Sequence, residues 1–255
     1  MNIRNCLILG SGHSGTSMAA GVLSRTGYFM GKDLYPGDEG NPKGYFEDQE
    51  INQINEELLG QVVPPRPSGT VGELFFKTRP VDGQRWVAMV PPGSSISCPS
   101  HLAERIKLIT KNEPFCLKDP RFCYTLPAWN SFLKDALFIC VFRHPGATAK
   151  SIVKESQRYS ENLYLDFNKA LQIWEMMYTH ILDIHYPKGG DWLFIHYEQF
   201  FDGSAFDKLK KNLNATLYCD FVEPKLNRST ATNTLPTGLS LIYQELCNKA
   251  EYNRI

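Results

Sequence analysis

The stretch Gly10-Ser11-Gly12-His13-Ser14-Gly15-Thr16-Ser17 is where this chain most clearly carries chemistry. It follows a short apolar run, residues 3–9, and precedes residues 16–25, in which Met18, Ala19, Val22 and Leu23 fall on one helical face. A glycine-rich turn between a strand and a helix directs backbone N–H groups into a concavity, and the helix dipole adds partial positive charge there. The hydroxyls of Ser14, Thr16 and Ser17 are further donors. The chemistry is anion binding, with phosphate as the natural ligand. Two common phosphate loops fit poorly. A dinucleotide loop needs an acid about twenty positions on, at the end of a second strand, and Asp33 lies in a stretch, 31–36, that does not read as a strand end. A Walker A loop needs a lysine where Thr16 stands.

A second cationic position is Arg143, at the end of the apolar run 136–142. Ser151 follows eight residues later, about two turns into a helix predicted over 145–158. Both can converge on one dianion, and a charge-assisted Arg–phosphate contact contributes about 1.5–3 kcal/mol. Lys118-Asp119-Pro120-Arg121 follows the strand predicted at 115–117. In an open α/β sheet, ligands gather beyond the carboxyl ends of the strands, so all three groups belong at one edge. Glu47 lies where a loop enters the helix predicted over 48–59. It is either a base facing the same edge or an acid that complements the helix dipole.

These motifs, in order and spacing, resemble the sulfotransferase superfamily, and its bacterial branch in particular. The resemblance rests on residues 11–17, Asn41-Pro42-Lys43-Gly44-Tyr45-Phe46-Glu47, Lys118-Asp119-Pro120-Arg121, and Arg143-His144-Pro145 with Ser151. It covers about residues 7–200, and more weakly extends to 228. It implies a P-loop-type three-layer α/β sandwich with a mostly parallel sheet flanked by helices. It also implies transfer of a sulfuryl group from 3′-phosphoadenosine 5′-phosphosulfate to an acceptor hydroxyl or amine. Ser11, Gly12, His13, Ser14, Gly15, Thr16 and Ser17 would form the 5′-phosphosulfate loop. Arg143 and Ser151, with Arg228, would hold the 3′-phosphate. Lys118 would stabilise charge on the bridging oxygen, and Asp119 or Glu47 would serve as base. His13 departs from the pattern, because relatives carry Lys or Arg there. An imidazole beside an anion is driven toward its charged form. Tyr197-Glu198 resembles a turn that anchors the sheet edge. The acceptor stays open among a carbohydrate, a lipid and a small natural product. A P-loop kinase or hydrolase and a non-catalytic nucleotide-binding module are the alternative readings.

The elements that must position these groups follow from periodicity. Strands are predicted at 3–9, 115–117, 136–142 and 192–196, and helices at 16–25, 48–59, 101–109, 126–133, 145–158, 167–185, 204–213 and 239–250. That alternation predicts one α/β domain over 1–255. Residues 61–100, rich in Pro and Gly, read as an irregular insert with one strand at 86–90. Its Arg66, Phe75, Phe76, Arg79, Arg85 and Trp86 are candidates to shape the acceptor side. Lys+Arg and Asp+Glu are both 27, so no global field exists to hold a nucleic-acid backbone. Seven cysteines without a C-x-x-C pair read as reduced core thiols of a cytoplasmic protein. The apolar residues 7–9 are too few for a membrane span or a signal core. No His/Cys cluster has metal-ligand spacing, so no metal is expected. Oligomeric state is not legible.

Overall fold

The computed structural model describes residues 3–157, 165–223 and 235–253. Its centre is a four-stranded parallel sheet in the order β2-β1-β3-β4. The strands are β1 (Cys6–Leu9), β2 (Cys116–Lys118), β3 (Leu137–Phe142) and β4 (Asp191–His196). All of β1, β2 and β3 is buried, as continuous apolar runs covered on both faces should be. Side chains alternate between the faces. Leu7 and Leu9 join one apolar cluster, with Leu117, Phe138 and Cys140, while Cys6 and Ile8 join the other, with Leu137, Ile139 and Val141.

Helices cover each face. On one side lie α2 (Gln49–Gly60), α4 (Ser100–Thr110), α5 (Phe122–Trp129), α7 (Phe167–Thr179) and α10 (Thr237–Lys249). On the other lie α1 (Thr16–Leu23) and α9 (Ser204–Leu213). Two further helices, α3 (Thr70–Phe75) and α8 (Gln199–Asp202), are short, and α6 (Pro145–Ser156) follows β3 directly. The layers match the three-layer α/β expectation, with the sheet parallel throughout. From β1 the chain goes to β2 on one side, then crosses to β3 on the other. That reversal makes a crevice at the carboxyl end of β1, where ligands of such sheets bind.

The insert departs from expectation. Residues 86–90 form no strand; Arg85–Val87 is a 3₁₀ turn. Buried Val87, Ala88 and Val90 pack into the core, and the Tyr124 hydroxyl donates to the Ala88 carbonyl at 2.8 Å. A side chain therefore occupies the acceptor that a ladder would need. The helix expected at 126–133 starts earlier, at Phe122, because Phe122 already packs edge-on against Trp129 with ring centroids 5.1 Å apart. Its last residues, Asn130–Phe132, are 3₁₀. All seven cysteines are free thiols, and five of them are buried. Among the described residues no helix is long and apolar enough to cross a membrane.

Candidate active site

The glycine loop is held by packing as much as by conformation. Gly15 caps α1 at φ 96°, and a Cβ there would stand 2.5 Å from Cδ2 of Tyr197. A Cβ on Gly12 would come within 2.9 Å of the Trp86 ring, which the insert brings over the loop. His13 itself adopts φ 64°. A side-chain-bearing residue pays about 1–3 kcal/mol for that conformation, which tends to persist at functional sites. Two expected donors turn inward. Ser11 is fully buried, its N–H donating to the Tyr178 hydroxyl at 3.2 Å and its Oγ to the Gly12 carbonyl at 3.2 Å. The Ser14 hydroxyl is buried 3.5 Å from Oγ1 of Thr148 on α6. These serines fasten the loop, while Gly12, His13, Gly15, Thr16 and Ser17 face a cleft of about 340 Å³.

The same cleft is lined by Glu47, Lys118, Arg143 and Ser151. Lys118 closes β2, with its side chain 2% exposed. Its Nζ donates to Glu47 Oε1 at 2.5 Å and to Ser17 Oγ at 3.3 Å. Glu47 reaches this position because Phe46 turns the backbone to φ 55° and Asp48 performs the capping. The Asp48 carboxylate accepts from the N–H groups of Ile51, Lys32 and Asp33. The helix-dipole role that the sequence left open for Glu47 is thus filled by its neighbour.

Asp119 is placed elsewhere. It is fully buried and does not line the cleft. Its carboxylate accepts from Arg121 N–H at 2.8 Å, Arg121 Nη1 at 3.1 Å and Asn52 Nδ2 at 2.7 Å. Burial pushes its pKa up in spite of Arg121. Successive residues of an extended chain point to opposite sides, so with Lys118 aimed at the cleft Asp119 is aimed beneath it. Arg121 is in turn held by Glu56, Nε to Oε1, at 2.6 Å.

Arg143 leaves β3 with its guanidinium 4.3 Å above the Tyr197 ring centroid. Burial pushes the Arg143 pKa down. In Arg121 the same penalty is outweighed by Asp119 and Glu56, and the pKa goes up. Ser151 Oγ lies 3.1 Å from His13 Nδ1, so the loop and α6 meet at that hydrogen bond. Arg228 lies outside the described residues.

Sequence reasoning missed the part played by Tyr197, which flanks both Gly15 and Arg143 rather than only anchoring the sheet edge. Lys43 and Tyr45, inside the 41–47 motif, also line the cleft, with Gln84 and Trp86 from the insert. Of the other insert residues singled out, Arg85 is ion-paired to Glu56 at 2.7 Å, Phe75 is 76% exposed, and Arg79 sits on the Phe76 ring. Among the described residues no group of three His, Cys, Asp or Glu is arranged to hold a metal.

No family model and no curated protein matches the chain by sequence. Among solved structures it is similar to the "Sulfotransferase Domain from the Curacin Biosynthetic Pathway", with TM-score 0.53 and 14% identity, over 96% of this chain and 98% of that one. The fold is that of a sulfotransferase domain. A second similar structure is the "Sulfotransferase Domain from the Synechococcus PCC 7002 Olefin Synthase", with TM-score 0.47 and 17% identity, over 99% of this chain and 97% of that one. The fold is matched along nearly the whole chain.

Proposed function

We propose that this protein is a sulfotransferase that uses 3′-phosphoadenosine 5′-phosphosulfate as donor. The observation that carries the reading is that one cleft at the switch point joins three groups. They are the glycine loop, the Lys118–Glu47 pair, and Arg143 with Ser151. Thr16 takes the Walker lysine position and faces this cleft, so the cation comes from a different strand, as Lys118. That arrangement suits a sulfuryl donor and not a nucleoside triphosphate.

The loop N–H groups and the start of α1 bind the 5′-phosphosulfate. Arg143 and Ser151 bind the 3′-phosphate, whose charge offsets the burial that depresses the Arg143 pKa. The acceptor oxygen or nitrogen forms a bond to sulfur while the bond from sulfur to the phosphate oxygen breaks, releasing 3′,5′-adenosine bisphosphate. The acceptor proton goes to Glu47, the carboxylate that faces the cleft. Lys118 Nζ, already between Ser17 and Glu47, meets the charge growing on the leaving oxygen. Asp119 positions Arg121 and Asn52 from below.

The test is calorimetry with 3′,5′-adenosine bisphosphate and with 5′-adenosine monophosphate, on the wild type and on Arg143→Ala. Arg143→Ala should weaken the bisphosphate about 10- to 100-fold and leave the monophosphate nearly unchanged. Equal losses for both nucleotides would remove the 3′-phosphate assignment. Magnesium-dependent ATP turnover by the wild type would replace the reading with a kinase or hydrolase.

A further inference from the structure

A second cavity, of about 360 Å³, lies on the outer side of α2. Its floor is made of polar side chains that are themselves buried: Asn52, Glu56, Arg85 and Arg121 are 7%, 9%, 4% and 2% exposed. Its rim carries Tyr35, Gln53, Glu57 and Asp82, and the rest of its lining is Gly60 and Gly83. No aliphatic side chain faces it.

The floor is incompletely satisfied from within the protein. Arg85 donates through Nε to the Val63 carbonyl at 2.9 Å, and through Nη1 to Glu56 and to Asp82 at 2.7 Å each. Its Nη2 has no hydrogen-bond partner among the described residues, although the side chain is 5% exposed. That nitrogen opens on the pocket, where a ligand or water can accept from its two N–H groups. The pocket floor also touches the donor cleft. Asn52 Nδ2 donates to Asp119 at 2.7 Å and to Glu47 Oε2 at 3.4 Å. Tyr35 is fixed beside Glu47 by its N–H, which donates to the Glu47 carbonyl at 2.8 Å.

We infer that this pocket is the acceptor subsite and that its ligand is a neutral saccharide. The inference deepens the sulfotransferase reading and rests on it. Carboxylates, amides and guanidinium N–H groups line the same pocket, so it offers both acceptors and donors. Sugar hydroxyls both donate and accept, and so can satisfy such a surface. Glu56 already bridges the two buried arginines, with 2.7 Å to Arg85 and 2.6 Å to Arg121. With Asp82 also on Arg85 and Asp119 on Arg121, the pairing leaves no cationic surplus for an anionic ligand. Tyr35, 39% exposed at the mouth, offers an aromatic face to a sugar ring. A lipid tail would offer the Arg85 Nη2 no acceptor, and a flat phenol only one oxygen. A hydroxyl bonded to Asn52 stands next to Glu47, the proposed base.

The experiment uses the full chain, with neutral mono- and disaccharides set against alkyl alcohols and phenols. Saccharide binding is read by saturation-transfer NMR, donor-product binding by calorimetry with 3′,5′-adenosine bisphosphate, and transfer from labelled donor. Two rim variants are compared: Gln53→Trp, on the exposed side of α2, and Tyr35→Ala. We expect saccharides to be bound and sulfated, and Gln53→Trp to raise the saccharide KM at least about tenfold with bisphosphate affinity unchanged. Tyr35→Ala should raise KM in the same direction. Bisphosphate binding with no saccharide bound or sulfated overturns this inference and spares the sulfotransferase reading. So does preferential sulfation of alkyl alcohols or phenols, or a saccharide KM unmoved by both variants. Saccharide binding that both variants weaken, in a chain that binds no bisphosphate, retains the saccharide site but overturns the sulfotransferase reading and with it the acceptor role.

Discussion

Replacing Glu47 by Gln and Asp119 by Asn separates the two carboxylates that the sequence offers as base. Glu47 lines the cleft with its side chain 15% exposed, and its partner Lys118 keeps a second contact, to Ser17 at 3.3 Å. Glu47→Gln preserves shape but removes the basic oxygen together with the charge that pairs with Lys118. General-base catalysis is worth about 10²–10⁴-fold, so kcat should fall by at least that factor while bisphosphate binding persists, and Tm should fall as well because Lys118 loses its charged partner. Asp119 is fully buried and holds Arg121 through two contacts, at 2.8 Å and 3.1 Å. Breaking a buried ion pair by removing one partner costs about 3–5 kcal/mol. In a chain of this size that lowers Tm by on the order of 10 °C. The folded fraction of Asp119→Asn should still turn over within about tenfold of wild type, because the acid acts through Arg121 and Asn52. The assays are differential scanning fluorimetry and steady-state sulfuryl transfer on both variants. A stable but inactive Asp119→Asn, together with an active Glu47→Gln, would refute the assignment.

Three other outcomes are expected. His13→Arg should retain measurable transfer, since a guanidinium supplies a fixed cation at this place; complete loss with the fold and bisphosphate binding intact would exclude His13 as an anion contact. Gly15→Ala drives a Cβ to 2.5 Å from Tyr197 at φ 96°, and it should abolish bisphosphate binding by calorimetry more severely than it lowers Tm. Stability should fall as pH drops from 7 to 5. Burial holds His196 down to about 3 and His185 to about 4, so the unfolded chain takes up protons near pH 6.5 that the folded chain refuses. Each contributes about 2 kcal/mol of that loss by pH 5, and the trend ends once pH passes below the folded values. His196 Nδ1 accepts the Glu198 N–H at 3.1 Å, so a proton there would face a donor. Histidine ring NMR that showed His196 titrating near pH 6.5 would contradict this.

The sheet was legible because its buried strands are continuous apolar runs, and each motif was legible because its residues are neighbours in the chain. What eluded the sequence is the direction of side chains and the contacts between distant segments. With β2 expected to end at 117, Lys118 and Asp119 were equivalent loop residues. The strand runs through Lys118, and that single added residue decides which of the two faces the cleft. Ser14 looked like a donor to the ligand because the motif is read as a string, yet α6 is close enough to draw its hydroxyl to Thr148. Trp86 and Tyr197 come from regions 70 or more residues away and close on Gly12 and Gly15. Their effect is to make two glycines sterically obligatory, so the loop's glycines answer to neighbouring aromatic rings as much as to a phosphate. A glycine-rich loop in a strand-to-helix turn is therefore weaker evidence for a nucleotide by itself than in company with Lys118 and Arg143, whose charges face the same cleft.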